Sequence, residues 1–124
     1  MNITGISILV FFFGGFMFSK AAPGKPWKYC EAEPDYASFN AAWHTQGYYN
    51  HETLQLNTGQ GSMMILKGDG NTFHIQNWAN SPIQYSMRHA KYQKYWIEGV
   101  LPVRETKAIY DGPPGHIWVK TYKS

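Results

Sequence analysis

Ser62-Met63-Met64-Ile65-Leu66-Lys67-Gly68-Asp69-Gly70-Asn71-Thr72-Phe73-His74-Ile75-Gln76 decides the fold class. An apolar run enters the Gly68-Asp69-Gly70-Asn71 turn. Phe73, His74, Ile75 and Gln76 leave it in strict apolar–polar alternation. Asp-Gly and Gly-Asn supply residues that tolerate positive φ, so this is the strongest hairpin signal in the chain. Upstream, Thr53-Leu54-Gln55-Leu56-Asn57 alternates and Thr58-Gly59-Gln60-Gly61 turns. Downstream, Ala79-Asn80-Ser81-Pro82 is a turn, and Ile83 to His89 alternates with an apolar inner face.

Lys91 to Val103 is less regular, with Tyr95, Trp96 and Ile97 at its apolar centre. Arg104 to Tyr110 returns as a strand, Asp111-Gly112-Pro113-Pro114-Gly115 is a rigid turn, and His116 to Tyr122 closes the chain. Six or seven short antiparallel strands at close intervals predict a small β-sandwich or barrel. One short helix is expected ahead of them. Asp35 caps it, Tyr36, Phe39 and Trp43 recur at spacings of three and four, and Gly47 stops it.

Ile8 to Phe18 is eleven residues without a charge, the length of a signal-peptide core and short of the ~20 needed for a membrane span. Ser19-Lys20-Ala21 offers small residues at the first and third positions of a cleavage triplet. Residues 1–21 are therefore expected to be a signal peptide and residues 22–124 a single secreted, mostly-β domain. In the alternative, residues 3–18 remain as a short anchor and the chain is a single-span accessory subunit of a membrane complex.

The chain has 124 residues, a formal charge of +3 and one cysteine. One domain fits that length, and a charge this small does not point to nucleic acid. Cys30 excludes an intramolecular disulfide and any multi-cysteine zinc module. It is expected to pack as a small hydrophobe or to link a disulfide dimer.

No Gly-rich phosphate loop, Gly-x-Ser-x-Gly elbow or His-Glu-x-x-His frame is present, so no cofactor or metal is expected. The five histidines are His44, His51, His74, His89 and His116. His74, His89, Glu98 and His116 form a nuclease-like set only if the pleat happens to gather them.

Charge is distributed unevenly. Residues 81–124 carry seven basic and three acidic side chains, residues 22–80 three basic and five acidic. Basic and aromatic residues mix from Arg88 to Trp96. Lys91, Tyr92, Lys94, Tyr95 and Trp96, with His116, Trp118 and Tyr122 of the last strand, are the candidate ligand-binding residues. Aromatic rings flanked by cations suit a protein or peptide surface, a glycan, or an anionic membrane, in that order. A binding protein is the leading expectation. A membrane-active toxin or lysin and a small nuclease-like hydrolase are also compatible with the sequence.

From Asn80 onward the chain resembles the β domain of the von Hippel–Lindau protein. Asn80-Ser81-Pro82 leads into a strand, Leu101-Pro102 turns, and Gly115-His116-Ile117-Trp118 opens the last strand. The resemblance implies a β-sandwich. It also implies that His116 and Trp118 match positions lining a pocket for hydroxylated proline in that family. The Pro113-Pro114 turn departs from the family pattern.

Overall fold

A computed structural model of the chain describes residues 22–32 and 42–122. Nine strands form two antiparallel sheets among the described residues. They are β1 (Lys28–Tyr29), β2 (Ala42–Tyr49), β3 (Leu54–Thr58), β4 (Gly61–Lys67), β5 (Phe73–Asn77), β6 (Ile83–Arg88), β7 (Tyr95–Leu101), β8 (Thr106–Ile109) and β9 (Gly115–Tyr122). The five-stranded sheet has the order β1-β7-β6-β9-β2, the four-stranded sheet β3-β4-β5-β8.

The stretch from Ser62 to Gln76 folds as its pattern predicts. β4 and β5 pair from Met63↔Asn77 to Lys67↔Phe73 across the glycine turn, where Gly70 takes φ 59°. Both chain passages β5→β6 and β8→β9 switch sheets. β5 lies beside β8 in one sheet and β6 beside β9 in the other. The β5–β8 pair of one sheet therefore continues directly into the β6–β9 pair of the other.

Alternation decides what fills the interior. Leu56, Met63, Ile65, Phe73, Ile75 and Ile109 come from the four-stranded sheet; Tyr49, Ile83, Tyr85, Met87, Ile97, Leu101, Ile117 and Val119 come from the five-stranded one. Asn77 is a buried polar member of this layer, and both ends of its side-chain amide are paired. Its Nδ2 donates to the carbonyls of Ser81 and Leu101, each at 2.9 Å, and its Oδ1 accepts the Ala79 N–H at 2.7 Å. Such pairing makes burial of an amide tolerable.

Trp27 closes one end of the interior. Its indole N–H donates to the Tyr110 carbonyl at 2.8 Å, and its ring meets His89 edge-on at 4.6 Å. Gly61, at φ 131°, is required where β4 begins: a Cβ there would lie 2.4 Å from the Cβ of Ala79.

The helix expected to run to Gly47 is corrected over residues 42–47, which belong to β2. Residues 33–41, with the expected helix start, lie outside the described residues, as do residues 1–21 and the expected leader. Trp43 pairs with Thr121, and Gly47 with Ile117. Gly47 does not stop a helix. It sits where β2 crosses β3, and a Cβ would come within 2.9 Å of the Leu54 side chain. A long ladder that sets eight residues of β2 against β9 overrides the local three-and-four spacing. The strand count exceeds the expected seven because β1 and β2 carry no alternation that marks them as strands. No described helix is long and apolar enough to cross a membrane.

Candidate functional site

The outer face of the five-stranded sheet collects the aromatic and cationic residues. Register places opposed side chains on the same side of a sheet. Lys28 pairs with Trp96, Trp96 with Arg88, Arg88 with Trp118, and Trp118 with Gln46, forming one continuous row. The next row holds Glu98, Ser86, Lys120 and His44. Beyond Trp118, His116 pairs with Tyr48.

Arg88 is the centre of the first row. Its guanidinium carbon lies 4.6 Å from the centroid of Trp118 and 5.9 Å from that of Trp96, while the two indoles approach to 5.4 Å. Each ring face presents negative charge to the cation. His44 meets Trp118 edge-on at 5.3 Å, and Tyr48 meets His116 edge-on at 4.9 Å. The Lys120 ammonium stands 5.7 Å from Trp118. Lys28, Arg88 and Lys120 face a single carboxylate, Glu98, so the described part of the face is electropositive.

Access is graded across the sheet. Trp96 is 2% exposed, and Ser86 and Lys120 are also buried. Arg88 and Trp118 are half-buried. His44, Gln46, Tyr48 and His116 are exposed, with Tyr48 at 57%. Contact with a partner is therefore open on β2 and β9 and closed at Trp96.

The eight residues predicted from sequence divide. Trp96, Trp118 and His116 share the outer face. Lys91, Tyr92 and Lys94 stand in the β6–β7 connection, and Tyr95 opens β7 with its ring turned to the opposite side from Trp96. Tyr95 packs edge-on against Tyr29 at 5.5 Å and Tyr92 at 6.3 Å. Lys94 pairs with Glu31 at 3.3 Å, and the Lys91 ammonium lies 5.3 Å from the Tyr92 ring. Tyr122 pairs with Ala42 along the backbone; its side chain lies outside the described residues.

Sequence patterning does not reveal Arg88 as the centre, nor Tyr48, Gln46 and His44 as members of the face. The one signal is the aromatic, β-favouring Tyr48-Tyr49 pair beyond Gly47, which a helix ending at Gly47 leaves unassigned.

His89 has a different role. It is 1% exposed, and its Nδ1 accepts the backbone N–H groups of Lys91 at 3.1 Å and Tyr92 at 3.0 Å. That acceptor role assigns the proton to Nε2, which donates to the Asp111 carbonyl at 2.8 Å. Burial lowers its pKa; the Asp111 hydrogen bond and charge oppose that shift, and Lys91 adds to it. Both ring nitrogens are occupied, so His89 is a staple between two loops.

His74 lies on the outer face of the four-stranded sheet and His116 on that of the five-stranded sheet. His74, His89, Glu98 and His116 are thus not gathered into one catalytic set. Among the described residues no three His, Cys, Asp or Glu side chains are grouped to hold a metal. Cys30 is a half-buried free thiol. Compared with protein-family models, curated proteins and solved structures, the chain matches none.

Proposed function

We propose that the protein is a secreted binding module whose β2–β9 face engages an anionic segment of a partner protein. The observation that carries this reading is the packing of Arg88 over Trp118 beside Trp96, continued to solvent through His44, His116 and the exposed Tyr48. A cation held by rings loses little side-chain freedom on binding. Flanking Tyr and Trp supply the rigid contact area that interface anchors commonly use. The half-exposed Arg88 guanidinium favours an acidic partner.

Binding of the full secreted chain to an acidic peptide library, a glycan array and phosphatidylserine vesicles tests the proposal. Acidic peptides are expected to be retained. Tyr48→Ala and Trp118→Ala are each expected to weaken retention about tenfold or more while circular dichroism stays native. Retention unchanged by Tyr48→Ala, in a folded protein, sinks the reading. Binding confined to vesicles transfers the face to a membrane role.

A further inference from the structure

A second feature stands apart from the aromatic face, at the β5–β6 connection and the β7–β8 turn. Trp78 is 60% exposed, yet its position is fixed. Its backbone N–H donates to Ser62 at 2.9 Å, and its indole N–H donates to Oε1 of Gln76 at 2.7 Å. Arg104 stands across from it in the turn Pro102-Val103-Arg104-Glu105, closed by the Glu105 N–H on the Pro102 carbonyl at 3.1 Å. Its φ is 64°, at a turn position that ordinarily goes to Gly or Asn. The Glu105 carbonyl in turn accepts the N–H of Asn77 at 3.1 Å, which ties the turn to the rim of β5. Gln76, Asn77, Trp78 and Arg104 line a concavity of about 330 Å³.

We propose that this concavity is a binding site for a carboxylated sugar ring of the uronic-acid type. Its free polar groups are donors. The Gln76 carbonyl oxygen is engaged by the indole, which leaves its NH₂ as the group that can donate. The Asn77 amide nitrogen is spent on Ser81 and Leu101. The Arg104 guanidinium makes no ion pair or hydrogen bond among the described residues, and its fork matches a carboxylate. The exposed indole face offers a platform for the ring. The volume lies at the lower end of ligand pockets, about 300–1,000 Å³, and suits one ring rather than a chain. An arginine held at positive φ is the mark of a side chain placed at a cost to the backbone.

The test is an NMR titration of the full chain with sodium glucuronate, following the Trp78 indole N–H, with glucose and acetate as controls. Saturable shifts are expected with a Kd of about 1–10 mM, and both controls are expected to bind at least about tenfold more weakly. Arg104→Gly is the decisive variant because glycine suits φ 64°. It should keep or raise Tm while losing glucuronate binding about tenfold or more. Trp78→Ala, followed through the Arg104 backbone amide, should lose binding as well. No glucuronate shift in the native chain, acetate binding as tight as glucuronate, or full binding by Arg104→Gly each overturns the proposal. The outcome is independent of the β2–β9 face, whose residues the site does not use.

Discussion

Tyr85 carries its phenolic oxygen into the interior without a hydrogen-bond partner. The ring is 3% exposed, and the register partner Gly99 leaves room for it: a Cβ there would lie 3.0 Å from the hydroxyl. Burial pushes the phenol up to about 12 from its ordinary value of 10.0. The neutral form is the one the fold accepts. Its contribution is fully present below about pH 10 and is lost as pH rises through about 12. Because an unpaired buried hydroxyl costs about 1–3 kcal/mol of desolvation, Tyr85→Phe is expected to stabilise the protein by about 1 kcal/mol. Urea unfolding of the two proteins at neutral pH checks this; a loss of stability would mean that the hydroxyl has a partner.

At the scale of elements, His89 joins the β6–β7 connection to the β8–β9 turn. Its ring accepts two backbone N–H groups from one side and donates to Asp111 on the other. Protonation of Nδ1 would place a third hydrogen against the N–H groups of Lys91 and Tyr92. The charged groups around it are Asp111 and Lys91, which act in opposite directions, and burial outweighs them. The folded pKa is depressed below 6.5, so the unfolded chain binds the proton first as pH falls. The stability is present above pH 6.5 and is lost as pH falls through the folded value. Unfolding free energy is expected to drop as pH falls below 6.5, and His89→Gln is expected to flatten that slope while costing about 1–3 kcal/mol at neutral pH. An unchanged slope in His89→Gln would assign the pH dependence to groups elsewhere in the chain.

Elements are legible where the signal is local. Gly68-Asp69-Gly70-Asn71 fixes a turn by its own φ preferences, and the alternation on either side needs no knowledge of the rest of the chain. β2 is not legible. Tyr36, Phe39 and Trp43 satisfy a helical spacing, but Trp43 lies in a strand whose ladder to β9 joins residues more than seventy positions apart in its first half. Trp96 shows the same limit within the candidate site. Its sequence neighbours Lys94 and Tyr95 suggest one exposed cluster, whereas the pleat sends Trp96 and Tyr95 to opposite faces of β7. The partners of Trp96 come from β1, β6 and β9.

For the whole molecule, the proposed secretion makes a measurable statement about the mature chain. The uncharged core from Ile8 to Phe18 and the Ser19-Lys20-Ala21 triplet support cleavage before Ala22. The intact mass of protein from a eukaryotic secretion host is expected to lack residues 1–21. A full-length mass in the membrane fraction would replace the secreted module with an anchored subunit. A new start at Ala22 is compatible with the folded end of the sandwich: Gly24 donates its N–H to Asp111, Trp27 enters the interior, and Cys30 donates its N–H to Lys94.

The sequence alone determined the mainly-β class, the hairpin at Gly68–Asn71 and most strand positions, because turn chemistry and two-residue periodicity act between neighbours. It also determined that basic residues mix with aromatic ones in the second half of the chain. Only the tertiary structure decided that β2 is a strand, that β5 lies beside β8 and β6 beside β9, and that Arg88 stands between Trp96 and Trp118. Those outcomes depend on which distant strands share a ladder. Period two states that alternate residues share a face, but only the pairing of sheets selects which face is buried.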